Sequence, residues 1–95
     1  MTIAKGVALV TGAAQFGHAI ALRLAADGYD IALNDLPAQD AVLKVTAKEV
    51  ISRGRHIHRV LADASSEKQV QAMVEDVVRV LGGLDVVRTT LPDTP

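Results

Sequence analysis

Apolar residues along this 95-residue chain follow two rhythms that take turns. The first is short, continuous and rich in β-branched residues: Val7 to Thr11, Ile31 to Asn34, the "HIHRVLAD" stretch from His56 to Asp63, and Leu84 to Val87. Runs of this length predict strands, and the first, bounded by Gly6 and Gly12, reads as one buried on both faces, as in a parallel sheet. The second rhythm is helical. His18 to Asp27 is built of helix-favouring residues, and Gly28 follows where a left-handed cap fits. Between Asp40 and Arg53, Leu43, Ala47, Val50 and Ile51 fall at helical spacing, with Gly54 as the stop. Val70, Met73, Val74, Val77, Val78 and Leu81 form one continuous stripe, which predicts core packing. Ser66 and Gln69, at the spacing of a capping box, open that helix, and Gly82-Gly83 ends it.

The order is β-α-β-α-β-α-β. Each helix is long enough to cross over between parallel strands, and such crossovers are right-handed. The fold class predicted is α/β, a doubly wound parallel sheet. Residues 1–87 read as one domain without internal repeat or interior linker. The last stretch, "RTTLPDTP" (88–95), has two prolines, three threonines and no periodicity, and predicts an irregular tail.

Composition narrows the function classes. The chain is 49% hydrophobic with one Phe, one Tyr and no Trp, so its core must be built from Ala, Val, Leu and Ile. Aromatic platforms for single-stranded nucleic acid are lacking. A net charge of -1 with scattered Lys and Arg supplies no basic stripe for a phosphate backbone. Without cysteine there is no disulfide framework, thiol chemistry or cysteine-held metal. No apolar run approaches the roughly 18 residues of a membrane span, and "MTIAKG" does not read as a secretory signal. The expectation is a soluble cytoplasmic domain without nucleic-acid or membrane partners.

In a parallel sheet, ligands sit beyond the carboxyl ends of the strands, where the first strand turns into its helix. Glycine serves there by taking tight dihedrals and by letting phosphate approach backbone amides. Gly12 and Gly17 are the glycines available. Asp35 ends the second strand 18 residues after Gly17, near the spacing at which a carboxylate meets an adenosine ribose. A carboxylate there accepts from ribose hydroxyls and repels a 2′-phosphate, favouring NAD over NADP. Asp63, at the end of the third strand, is placed to accept from an adenine amino group. Each residue has a plainer reading: Asp35 as a solvated strand end, Asp63 as the cap of the turn before Ser65. His56 and His58 share one side of a strand at a spacing that suits two imidazoles on one metal. No third ligand is in sight, so an exposed edge-strand face is the better reading and no metal is expected.

"VALVTGAAQFGHAIALRLAADGYDIALND", "LADASSEKQVQAMV" and "GGLDVV" together resemble the N-terminal half of a short-chain dehydrogenase/reductase, over about residues 5 to 87. The resemblance implies a Rossmann sheet of strand order 3-2-1-4, reduced here to about four strands and three helices. It also implies a nicotinamide dinucleotide and hydride exchange with an alcohol or carbonyl, with a lean towards the acetoin/diacetyl reductase branch. In the family a basic residue near phosphate often stands where this chain has His18; a solvated first-turn residue is the alternative. Carried onto this sequence, the cofactor-binding residues are Thr11, Gly12, Gln15, Phe16, Gly17, Asp35 and Asp63.

Two departures matter. The family loop reads Thr-Gly-x-x-x-Gly-x-Gly, whereas Phe16 and Gly17 stand here where three residues are expected. The middle glycine has no counterpart. One residue fewer removes an amide donor and turns the helix register by about 100°, so weakened dinucleotide affinity is expected. After "LDVV" the family continues with an Asn-Asn-Ala-Gly-like segment, a Ser and a Tyr-x-x-x-Lys pair; this chain gives Arg88, Thr89, Thr90 and Leu91. Its one tyrosine, Tyr29, is followed four residues later by Leu33. With no phenol beside an ammonium there is no general acid for hydride transfer, and no catalytic residue is assigned.

The expected function is the NAD(P)-binding half of an oxidoreductase, inactive alone. The alternative is a non-catalytic interaction module that pairs with full-length relatives. In the 3-2-1-4 order the first two helices cover one sheet face and the third covers the other. The fourth strand is then an exposed edge, which predicts self-association.

Overall fold

β1 (Gly6–Thr11) occupies an interior position of the sheet, and its residues are the most uniformly buried in the chain. The computed structural model describes residues 3–14 and 16–89. Within them follow α1 (Gly17–Ala26), β2 (Tyr29–Asp35), a 3-10 turn (Pro37–Gln39), α2 (Asp40–Ser52), β3 (Ile57–Leu61), α3 (Glu67–Leu81) and β4 (Val86–Thr89). The strands pair in the order β3-β2-β1-β4, all parallel. This is the four-stranded, three-helix Rossmann-type arrangement expected. Leu9 lies opposite Ala32 on one side and Val87 on the other.

Alternate residues of each strand point to opposite faces. Ala8, Val10, Ile31 and Leu33 pack with Ala21 and Ala25 of α1 and with Leu43, Ala47 and Val50 of α2. Val7, Leu9 and Ala32 pack with Ala62 and with Met73 and Val77 of α3. Small alanines on α1 let that helix lie close to the sheet, which is how a core with so few aromatics fills its space. Gly82, at φ +88°, supplies the left-handed cap that ends α3.

Several sequence expectations need correction. β4 runs to Thr89, because Arg88 and Thr89 pair with Val10 and Thr11; both residues were expected in the tail. Residues 90–95 lie outside the described residues. On α3, Met73 and Val77 are buried, but Val78 is 44% exposed. One residue turns the helix by about 100°, which carries Val78 off the face that meets the sheet. Ile51 is likewise exposed, and Thr46 takes the buried place between Leu43 and Val50. The capping box is half formed. Ser66 Oγ accepts from the Gln69 amide, whereas Gln69 Oε1 accepts from the Asp63 amide at 2.8 Å.

β4 is tied to β1 by Asp85. Its Oδ2 accepts from the Val7 amide at 2.8 Å, and its own amide donates to the Val7 carbonyl at 2.8 Å. A Cβ on Gly6 would stand 2.8 Å from that carboxylate oxygen, so the first residue of β1 has to be small.

Candidate functional site

Because β1, β2 and β3 run the same way, their carboxyl ends bring Thr11, Asp35 and Leu61 to one end of the sheet. The chain leaves β1 through Gly12 at φ +63°, a conformation that favours glycine. The turn is then held down on β2. The Ala13 amide donates to the Asn34 carbonyl at 2.9 Å, and the Ala14 amide donates to Asp35 Oδ2 at 2.9 Å. Asp35 Oδ1 accepts from the Leu36 amide at 2.7 Å, so each carboxylate oxygen carries one backbone donor.

Asn34 holds the neighbouring strand end. Its side-chain amide donates to the carbonyls of Val60 at 3.0 Å and Ala62 at 3.1 Å. The residue is 1% exposed, and its Oδ1 is buried without a hydrogen-bond partner. Sequence reasoning passed over Asn34. The available signal was a polar residue with two donors at the penultimate position of an apolar strand, beside Asp35.

Asp63 closes the third side. Its Oδ1 accepts from the Ser65 amide at 2.9 Å and the Ser65 hydroxyl at 2.7 Å. The Ser65 hydroxyl, and next its amide, hold the Asp63 carboxyl below the usual carboxylate range. Asp63 therefore caps the turn before α3, as the plainer reading had it, and it also faces the cleft. That cleft of about 200 Å³ is lined by Gly12, Asn34, Asp35, Leu36, Ala62 and Asp63, together with Ala64 and Ser65.

The structure thus brings Gly12, Asp35 and Asp63 around one cleft. Thr11 is buried at the end of β1. Phe16 takes the N-cap position of α1 without a side-chain cap and is 69% exposed, and Gly17 is the buried first residue of that helix. Gln15 lies outside the described residues. His18 turns to α2: its Nδ1 is 2.7 Å from Thr46 Oγ1 and its Nε2 3.5 Å from Glu49. His56 and His58 take different carboxylates, Asp30 at 3.5 Å and Asp76 at 2.6 Å. Among the described residues no cluster of three His, Cys, Asp or Glu is placed to hold a metal.

The chemistry available is that of binding. Ligand pockets commonly enclose about 300–1,000 Å³, so this cleft, at about 200 Å³, is smaller than a whole ligand pocket. Tyr29 starts β2, at the opposite end of the sheet, with Lys5 5.9 Å from its ring centre. No helix among the described residues is long and apolar enough to cross a membrane.

Comparison with known proteins adds an independent line. The family model for short chain dehydrogenases matches residues 6–90. A short-chain dehydrogenase/reductase, eriH, from Hericium erinaceus is 52% identical over 86 residues, which are 87% of this chain and 34% of that protein. One from Armillaria gallica is 53% identical over 81 residues, 84% of this chain and 31% of that protein. The L-2,3-butanediol dehydrogenase of Corynebacterium glutamicum is 37% identical over 81 residues, 84% of this chain and 31% of its own. Among solved structures, a blue fluorescent protein from a metagenomic library in complex with NADPH superposes with a TM-score of 0.82 at 35% identity, covering 92% of this chain and 36% of that one. An NAD+-bound xylitol dehydrogenase gives 0.81 at 35% identity, with 92% and 33% covered. The chain spans about a third of the length of the curated relatives it matches.

Proposed function

The chain belongs to the short-chain dehydrogenase family, and on that premise we propose that its cleft receives the adenosine end of a nicotinamide dinucleotide, with NAD preferred to NADP. The observation that carries this reading is the fixed carboxylate of Asp35. The Ala14 and Leu36 amides hold one oxygen each, and each oxygen keeps acceptor capacity for a ribose hydroxyl. A 2′-phosphate in the same place meets like charge. Asp63 Oδ1 accepts from the Ser65 amide and hydroxyl, which leaves its other oxygen for the adenine amino group. Related structures carry NADPH in one case and NAD+ in another, so the fold accepts either and the preference rests on Asp35.

Binding is expected to be weak. Ala13 and Ala14 spend their amides on β2, and the family's middle glycine has no counterpart in the shortened loop at Phe16 and Gly17. When bound, the nicotinamide group supplies hydride exchange with a carbonyl or secondary alcohol; the butanediol dehydrogenase among the relatives is consistent with such a substrate. Among the described residues, Tyr29 and Lys5 lie at the end of the sheet opposite the cleft, and the role assigned to the cleft residues is cofactor binding. Titrating NADH fluorescence with the protein and with Asp35→Ala tests the proposal. Saturable binding that Asp35→Ala weakens is expected; equal signals from both proteins contradict it.

A second reading, a non-catalytic module that pairs with longer relatives, is favoured by one feature. Among the described residues β4 is an edge strand, and its Val87 is 59% exposed.

A further inference from the structure

We propose that the cleft is matched to a neutral nucleoside, adenosine, and that the diphosphate of a dinucleotide weakens rather than strengthens its hold there. This rests on the reading of the cleft as an adenosine site and goes beyond it in what the phosphates meet.

The hydrogen-bond inventory of the lining carries the inference, since buried donors and acceptors in a folded chain are paired. The donors around the cleft are spent inside the protein. The Leu36 amide donates to Asp35 Oδ1, the Ala62 amide to the Asp35 carbonyl, the Asp63 amide to Gln69 Oε1 and the Ser65 amide to Asp63 Oδ1. The Ser65 hydroxyl also donates to Asp63 Oδ1. What the cleft has left to offer is acceptors. These are the two oxygens of Asp35, the second oxygen of Asp63 and, in the wall, Asn34 Oδ1, buried without a partner. A matching ligand therefore brings donors. Adenosine has two ribose hydroxyls side by side and an exocyclic amino group on its base, whereas phosphate oxygens are strong acceptors. Leu36, Ala62 and Ala64 supply apolar surface for the base.

Charge points the same way. Among the described residues that line the cleft, two are carboxylates and none is Lys, Arg or His. Phosphate is commonly drawn to a helix N-terminus by its amides and dipole. Here the turn before α1 gives the Ala13 amide to the Asn34 carbonyl and the Ala14 amide to Asp35 Oδ2. His18, in the first turn of α1, faces Thr46 and Glu49. Arg59 of β3 pairs with Asp40. A phosphate chain leaving the cleft therefore starts beside two like charges.

Isothermal titration calorimetry with adenosine, AMP and ADP, at about 0.01 M and about 0.1 M salt, tests the inference; between these the Debye length falls from about 30 Å to about 10 Å. At the lower salt adenosine should bind about tenfold more tightly than ADP, with AMP between them. The gap should narrow at the higher salt, because screening weakens the repulsion. Inosine, which lacks the amino group, should bind about tenfold more weakly than adenosine. Asp35→Asn keeps the shape of the side chain and removes a charge, so it should narrow the gap between adenosine and ADP; circular dichroism checks that the variant is folded. ADP bound more tightly than adenosine, an ADP affinity that falls as salt rises, inosine bound as well as adenosine, or a gap indifferent to Asp35→Asn would overturn the proposal. Saturable NADH binding that adenosine fails to displace would overturn it alone and leave the dinucleotide reading standing, whereas no binding of either ligand would sink both.

Discussion

Asn34→Asp exchanges a single NH2 group for an oxygen and tests whether this side chain fastens the walls of the cleft. Asn34 is 1% exposed and gives both amide hydrogens away, to Val60 at 3.0 Å and Ala62 at 3.1 Å. Aspartate has neither donor and turns a carboxylate towards two carbonyl oxygens. Two lost hydrogen bonds cost about 2 kcal/mol at about 1 kcal/mol each. An uncompensated buried charge brings the total to about 3–5 kcal/mol. A protonated carboxyl restores one donor, so the folded variant holds a proton that the unfolded chain releases near pH ~3.9. Stability of the variant therefore falls as pH rises from that value towards neutrality. Urea melts followed by circular dichroism at pH 4.5 and pH 7.5 measure the effect. Domains of this size have about 5–15 kcal/mol of stability in all, so at pH 7.5 the urea midpoint of the variant should fall well below that of the parent. A variant as stable as the parent at pH 7.5, or a deficit that does not change with pH, refutes the reasoning.

Three further outcomes follow from the same contacts. Gly6→Ala places a Cβ 2.8 Å from Asp85 Oδ2 and displaces the acceptor of the Val7 amide; a loss of about 1 kcal/mol in a thermal melt is expected, and an unchanged melt contradicts it. The carboxyl of Asp76 is held below its ordinary value by His58 and then Arg79, and that of Asp63 by the Ser65 hydroxyl and then its amide. Their stabilising contribution is complete above the unfolded value of about 3.9 and is lost as pH falls through the lower folded values. Asp76→Asn should therefore make the acid limb of the stability curve shallower, and an unaltered limb counts against the His58 contact. Inserting a glycine between Gln15 and Phe16 restores the family loop length and one amide. A donor to a charged group is worth about 1.5–3 kcal/mol, so NADH binding should tighten by about 10-fold or more. No change means that loop length does not limit affinity.

The alternation of strands and helices was legible because buried parallel strands and amphipathic helices have different apolar periods. The meeting of Gly12, Asp35 and Asp63 was legible for a related reason: parallel strands collect their carboxyl ends on one side. What the residues did not disclose depends on partners distant in the chain. Arg88 and Thr89 have no strand-like pattern, and it is the backbone of β1 that recruits them. Val78 belongs to a periodic stripe, yet its burial depends on whether something packs there. His18 turns to Thr46, 28 residues away, and Asn34 spans to carbonyls on β3. The His18 link has no local signature, and the polar residue inside an apolar strand that marks Asn34 does not say which carbonyls it meets.

The reading of the cleft comes down to how Asp35 meets the adenosine ribose. Parallel fluorescence titrations with NADH and NADPH, on the wild-type chain and on Asp35→Ser, measure that encounter directly. Tighter binding of NADH than of NADPH, with the preference narrowed or reversed in Asp35→Ser, is the result predicted. NADPH bound by the wild-type chain as tightly as NADH, or a preference that survives the loss of the carboxylate, would contradict it.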